Sequence, residues 1–540
     1  MRRIVGLFSL AALVATPLAA QTPSQHESAL RAHVEFLADD AMLGRDSFTP
    51  EYRIAANYVA TQLMAAGVQP GGDDGSYLQN VDFQATIPAA PGEMAFTRGG
   101  KRQALTFGEN FVGAVNPRVA DFRLSGDVVF AGYGVVDPDI GWDDYRGLSV
   151  RGKIVAVLAG GPAKLASEKR AHFSSRAAKS LAAQARGAKG IVLIDSIADD
   201  AGYSVARRAA NWQRPSINWI APDGRPDLEA GDAPSIGMLS RAGAAKLFAG
   251  SPVRWAAVDA AERSGAAMPM GALGASIEAR QRIETAGLES ANVVGVIPGS
   301  DPKLAREQVV ITAHLDHLGV EEMAEDDPKA DRINNGAIDN AIGIAMMIEI
   351  AREFQRSGKR PRRTIVFTAV TAEEVGLLGS EYYARHPSVG GTMVANINLD
   401  MPIMTYPFRD IIAYGAERSS IGATLKRILD AEGLSLTPDP VPEENYFVRS
   451  DHYSFVKAGV PSIYLDAGPA GPGKAATDAF MANHYHQVSD QTDLPIDWTA
   501  ARRFMMIHYR LARDIADADA RPRWTKGDFF GMLFGGYGAK

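Results

Sequence analysis

Residues 364–380 read TIVFTAVTAEEVGLLGS, and the order of residue types in that stretch decides the fold. Thr364 to Val370 is an apolar, β-branched run that reads as a strand. Two carboxylates, Glu373 and Glu374, follow it at once, and Leu377 to Arg385 then has the character of a helix. Working outward, the same unit recurs. Val309 to Ala313 is a strand followed by His314 and Asp316. Ile342 to Phe354 is a helix with Ile344, Met347, Ile348 and Ala351 on one face. Met393 to Leu399 is a strand that ends at Asp400, Ser462 to Leu465 is another strand, and Thr499 to Ile515 is the last helix. Repeated strand–loop–helix units predict an α/β domain, a mixed, mostly parallel sheet flanked by helices.

In open sheets of this kind, sites form at the carboxyl ends of the strands. Here those ends carry His314, Glu374 and Asp400, and Asp339 stands just before a helix start. The chain has no cysteine, so metal ligands must be imidazole or carboxylate, a set that suits zinc. A catalytic zinc takes three protein ligands and keeps one position open. Two zincs sharing one carboxylate therefore need five side chains: His314, Asp339, Glu374, Asp400 and a later histidine, for which His486 is chosen. Each residue alone is unremarkable, since an Asp before a helix is usually an N-cap and a Glu-Glu pair a solvated face. Their combination, in this order and at strand ends, is far more specific.

The motifs AHLD (313–316), NGAIDNA (335–341), TAEEVGLLGS (371–380), NLDM (398–401) and YHQVSD (485–490) resemble the di-zinc exopeptidases of metallopeptidase family 28. The resemblance implies a zinc-exopeptidase fold of the phosphorylase/hydrolase type and two Zn2+ ions. It implies that His314 and Asp400 bind one zinc, Glu374 and His486 the other, and that Asp339 bridges both. Glu373 is then the general base toward a water held between the metals, Asp316 orients His314, and the Asp339–Asn340 peptide is cis. Tyr485 resembles an oxyanion donor, and Arg449, Asp451 and His452 lie in a stretch near the substrate pocket. The implied activity is removal of N-terminal residues from peptides. A carboxypeptidase on the same metals, a single-zinc glutaminyl cyclase-like acyltransferase and a non-catalytic receptor-like protein are the alternatives.

The rest of the chain divides around this domain. Arg2-Arg3, an apolar run from Ile4 to Val14 and Leu18-Ala19-Ala20 have the layout of a signal peptide over residues 1–20, which implies a periplasmic or secreted protein cleaved near Ala20. Residues 21–114 are assigned to an N-terminal helical part, with helices near Ser24 to Leu37 and Glu51 to Ala66 and a turn at Gly44-Arg45-Asp46. Short strands with a helix over 115–284, including VFAGYG (129–134) and GKIV (152–155), resemble an inserted small α/β protease-associated domain. The catalytic part covers 285–515, and the tail, 516–540, has no clear period. A formal net charge of -7 gives no electrostatic footprint for nucleic acid, and no segment of the mature chain is long enough to span a membrane.

Overall fold

The computed structural model describes residues 24–229, 231, 233–321 and 330–540; the expected signal peptide lies outside them. Two sheets share one strand. The main sheet contains β1 (Leu78–Pro88), β2 (Gly271–Ile297), β3 (Glu307–His314), β4 (Thr364–Val370), β5 (Thr392–Asn398), β6 (Asp410–Tyr414) and β7 (Ser462–Ala467). Its order is β1-β2-β4-β3-β5-β7-β6, with the four strands β4, β3, β5 and β7 parallel and the β1–β2, β2–β4 and β7–β6 pairings antiparallel; the short strand Ser435–Thr437 adds to β6 in parallel. Every residue of β4 is buried, as a strand covered on both faces requires. The chain leaves β3 toward β4 on one side and returns to β5 on the other, so β3 is the switch point where a crevice opens.

Helices α1 (Gln25–Leu37), α2 (Pro50–Ala65), α3 (Ile342–Arg356) and α4 (Trp498–Asp517) cover one face and build the largest apolar core with Val309, Ile311, Ile365 and Ile397. α1 begins with a capping box between Ser24 and Glu27, and α2 with the Thr49 cap and Pro50 in its first turn. Among the described residues no helix is long and apolar enough to cross a membrane.

α1 is tied to α3 through a buried carboxylate. Glu349 Oε2 lies 2.8 Å from His26 Nδ1, its Oε1 lies 3.6 Å from His33 Nε2, and Arg352 donates to it. Burial alone would raise its pKa, but His33, His26 and Arg352 hold it down at about 2. A carboxylate lowered on folding stabilises above its unfolded pKa, and that stability is lost as pH falls from about 4.5 through about 2. Glu349→Gln is therefore expected to cost about 2 kcal/mol at pH 7, with the gap to the parent closing toward pH 2 in urea melts. A gap independent of pH would mean that the Glu349 charge does not hold α1.

The second sheet comprises Lys101–Ala104, Glu93–Arg98, the first half of β2, Asp121–Phe130, Ile154–Leu158, Gly190–Ile194, Ser235–Leu239 and Phe111–Gly113, in that order. Phe96, Phe111, Phe130, Val192 and Leu273 fill its own core. The expected division is corrected here. Residues 93–113, assigned to the N-terminal helical part, are strands of the second sheet, because Met94 and Phe96 point into that core and Gly99-Gly100 closes their hairpin. Within 115–284, Ser216–Trp219 departs in the opposite sense and pairs with β1 at the edge of the main sheet.

The tail fastens the two parts together. Trp524 is buried and donates to Gly459 O at 2.9 Å, and a Cβ on Gly536 would strike the Trp524 ring, so only glycine fits against it. Phe529 packs on Phe173 of the second sheet's helix Ser167–Ser174, and Arg418 pairs with Glu168 of that helix and with Asp528 of the tail.

Candidate metal centre

The strand ends converge as the switch point dictates. His314 closes β3, Glu373 and Glu374 follow β4 after a two-residue step, and Asp400 follows β5 by two residues. Backbones there are bent out of the common regions: Ala372 (φ 56°), Met401 (φ 26°) and His486 (φ 55°) are non-glycine residues in the left-handed region, each adjacent to a site residue or itself one. The Asp339–Asn340 peptide is cis.

The donor atoms face one another. His314 Nδ1 lies 3.1 Å from the Asp316 carbonyl oxygen, to which it donates, leaving the Nε2 lone pair free. Nε2 is 3.1 Å from Asp339 Oδ1 and 3.1 Å from Asp400 Oδ1. On the other side, His486 Nε2 is 3.3 Å from both Asp339 Oδ2 and Glu374 Oε2. The two oxygens of Asp339 thus point at two different histidines. Acceptors this close in a buried site need a cation between them, either protons or metal. Burial opposes charge on His314, yet Asp400 and Glu373 raise its pKa well above the ordinary value. Burial, with the Asp339 charge, pushes Glu374 up to about 8. His314, Asp339 and Asp400 offer ligand atoms within 4.8 Å of one another, as do His317, Asp339 and Glu374. The nitrogen and oxygen donor set, closed around shared carboxylates, fits divalent metal of the zinc type.

Groups that sequence reasoning missed hold this cluster in shape. His317 Nδ1 is 2.8 Å from Glu374 Oε1, so a histidine left out of the ligand set touches one of its members. Ser450 donates to Asp400 Oδ2 and accepts from Asn398 Nδ2. Asp490, fully buried, accepts from the backbone N–H groups of Ile338 and Asp339 at 2.9 Å each. Arg45 is also buried, and its guanidinium donates to the carbonyls of Leu37, Leu315, Asn335 and Gly336. It binds the N-terminal turn to both ligand-bearing loops. The Asp490 position in YHQVSD, next to His486, was the one signal within reach.

Two expectations change. Asp316 does not present its carboxylate to His314; its main-chain carbonyl meets the ring, while the carboxylate accepts from Ser47 Oγ at 2.9 Å and from the N–H groups of Glu373 and Glu374 at 3.3 Å. Asp451 and His452 do not reach the cavity. Both are wholly buried, because the short helix His452–Lys457 turns its first residues inward, where His452 packs against Phe447 and Tyr464. Arg449 does line the cavity, paired with Glu444 at 3.3 Å.

That cavity, of about 400 Å³, opens directly on His314, Asp339, Glu373, Glu374, Asp400 and His486. Glu373 has no hydrogen-bond partner for its carboxylate among the described residues; burial, with Asp400 and Glu374 nearby, raises its pKa well above the ordinary value. Tyr485 stacks on His486 at 3.9 Å between centroids and lines the cavity, its hydroxyl without an internal partner among the described residues.

Residues 292–512 match the model of Peptidase family M28. A probable zinc metalloprotease of Pyrenophora tritici-repentis is 45% identical over 67 residues, 12% of this chain and 15% of the relative. A probable glutamate carboxypeptidase of Arthroderma benhamiae is 28% identical over 213 residues, 37% of this chain and 26% of the relative. The chain thus spans about a seventh to a quarter of the length of these curated relatives. Among solved structures, an aminopeptidase from Aneurinibacillus sp. strain AM-1 superposes over 92% of this chain and 95% of its own, with 19% identity and a TM-score of 0.46. Residues 292–512 thus carry a Peptidase family M28 domain.

Proposed function

We propose that the protein is an exported zinc exopeptidase that removes N-terminal residues from peptides. The observation that carries this reading is the shared carboxylate: Asp339 faces His314 with one oxygen and His486 with the other, and the same cavity is lined by Glu373, whose carboxylate has no partner among the described residues. His314, Asp339 and Asp400 would hold one zinc, and Glu374, His486 and Asp339 the second, with His317 within reach of Glu374. Bound there, zinc supplies Lewis acidity and a water of lowered pKa.

The chain's own residues do the rest. Glu373 takes the proton from the attacking water and returns it to the leaving amine, a task for which its raised proton affinity is suited. Asp316 holds the Glu373–Glu374 backbone in place through the two N–H groups it accepts. The Tyr485 hydroxyl is free to donate to the carbonyl oxygen as it gains charge.

The choice of terminus rests on charge. A carboxypeptidase needs an unengaged cation for the substrate carboxylate. The cations lining this cavity, Arg449 and Lys474, are paired with Glu444 and Asp478, whereas Glu373 and Asp466, outside the ligand set, have no cationic partner among the described residues, which favours the ammonium of an N-terminus. The second sheet supports an inserted protease-associated domain bordering the substrate path, since a cavity of about 580 Å³ lies between Arg176 and Pro234 on its side and Trp219 and Glu374–Gly376 on the other. The basic and apolar pattern of residues 1–20 supports export.

The test is mass spectrometry of digests by the zinc-loaded mature protein, with and without chelator, on one peptide with free ends, one N-acetylated and one C-amidated. Loss of residues from the N-terminus, stopped by acetylation and by chelator, is expected. Trimming from the C-terminus would transfer the protein to the carboxypeptidases.

A further inference from the structure

We propose that the cavity beside the metal centre selects peptides whose first residue is lysine or arginine, and that Asp466 reads that side chain. The inference rests on the aminopeptidase reading and names its substrate class.

The position of Asp466 follows from strand register. β5 and β7 run parallel with Asn398 opposite Tyr464. Two residues further on, Asp400 lies just past the end of β5 and Asp466 is the penultimate residue of β7, so the two stand at the same end of neighbouring strands. Both line the same cavity. Between and around them the walls are apolar or aromatic, formed by Met401, Ile403, Ile412, Tyr446 and Met481. At about 400 Å³ the space suits one long side chain and its backbone.

Charge decides what that side chain is. Arg449 is paired with Glu444 at 3.3 Å, and Lys474 with Asp478 at 2.6 Å. Outside the metal cluster and Glu373, Asp466 is the carboxylate of this cavity that has no cationic partner among the described residues; it accepts from two neutral hydroxyls, that of Tyr464 at 3.3 Å and that of Tyr414. Burial, with the Asp400 charge added, pushes its pKa up to about 7. A half-buried carboxylate without a cation is unfavourable, and a ligand that brings the cation offsets that. Lysine and arginine supply both halves of the match: a methylene stem for the apolar wall and a positive end for the carboxylate. The hydroxyl-bearing rings of Tyr414 and Tyr464, stacked at 5.2 Å, back the carboxylate.

An ammonium could also come from the peptide's own N-terminus, and the experiment separates the two sources. The kcat/KM values of peptides that differ only in a first Lys, Arg or Leu are compared for the zinc-loaded parent, Asp466→Asn and Asp466→Glu. The parent is expected to favour Lys and Arg over Leu by at least about tenfold, and Asp466→Asn to reduce that ratio by about 10- to 100-fold. Asp466→Glu, which keeps the charge, is expected to retain the preference for basic residues. The ratio within each variant is insensitive to a partial loss of folded enzyme. Calorimetric binding of arginine amide against leucine amide to the same proteins reads the cavity without turnover. A parent that cuts Leu peptides as well as basic ones, or a ratio unchanged in Asp466→Asn, overturns the proposal. An equal loss on all three peptides gives Asp466 to the α-amine and overturns it too. Selective binding of arginine amide without cleavage would sink the peptidase reading and leave this one standing; no binding and no cleavage would sink both.

Discussion

Glu373→Gln is expected to keep its zinc and to lose about 10³-fold in kcat, with KM little changed. The substitution is isosteric, and the carboxylate has no hydrogen bond to break among the described residues, so the fold has no reason to respond. What disappears is the proton acceptor beside the metal cluster. The structure also contains a competing arrangement, because His314, Glu373 and Glu374 offer ligand atoms within 4.8 Å of one another. Metal analysis by plasma mass spectrometry alongside the kinetics separates the two. Zinc retained with turnover lost makes Glu373 the base. Zinc lost together with turnover makes it a ligand. A variant nearly as active as the parent removes it from the chemistry altogether.

Asp339→Ala should be harsher still, reducing bound zinc below about one ion per chain and turnover to background, since each catalytic zinc depends on three protein ligands. One oxygen of Asp339 serves the His314 side and the other the His486 side. Its backbone is held independently, with the Asp339 N–H donated to Asp490, so truncating the side chain leaves the loop anchored. Asp400→Ala, which touches only the His314 side, is the control and should spare the Glu374–His486 side. Equal zinc loss in the two variants would deny Asp339 its bridging part.

The catalytic sheet was legible because three of the candidate ligands, His314, Glu374 and Asp400, stand at or just past the ends of apolar strands, so that period and punctuation agree over Val309–His314, Thr364–Glu374 and Met393–Asp400. The shared strand β2 was not. Its burial alternates over 271–283, where one face is open, and becomes continuous over 290–297, where both faces are covered, so one strand reads as two unrelated segments. The supports of the site were hidden for another reason. Ser450 meets Asp400 across 50 residues and Asp490 meets Ile338 across 152, and no local pattern reports such a pairing. Asp451 and His452 show the converse: polar residues beside a ligand's neighbour read as pocket, and only packing reveals that the short helix turns them inward. The aromatic tail had no period because its residues each plug a separate gap, Trp524 against Gly459 and Phe529 against Phe173.

β1 and β2 run antiparallel side by side, with Pro88 opposite Ile283, so the chain between them grows out of the tip of a hairpin. Excising that excursion and closing the tip with a short turn would leave the hairpin's own ladder intact. It would also uncover the outer rim of β1 at Phe83–Thr86, which Ser216–Trp219 now occupies. A bare rim of that kind recruits strands from other molecules. A minimal catalytic version of this protein would therefore be threatened by self-association before any loss of its active residues, and a lysine placed on that rim would be the first repair to engineer.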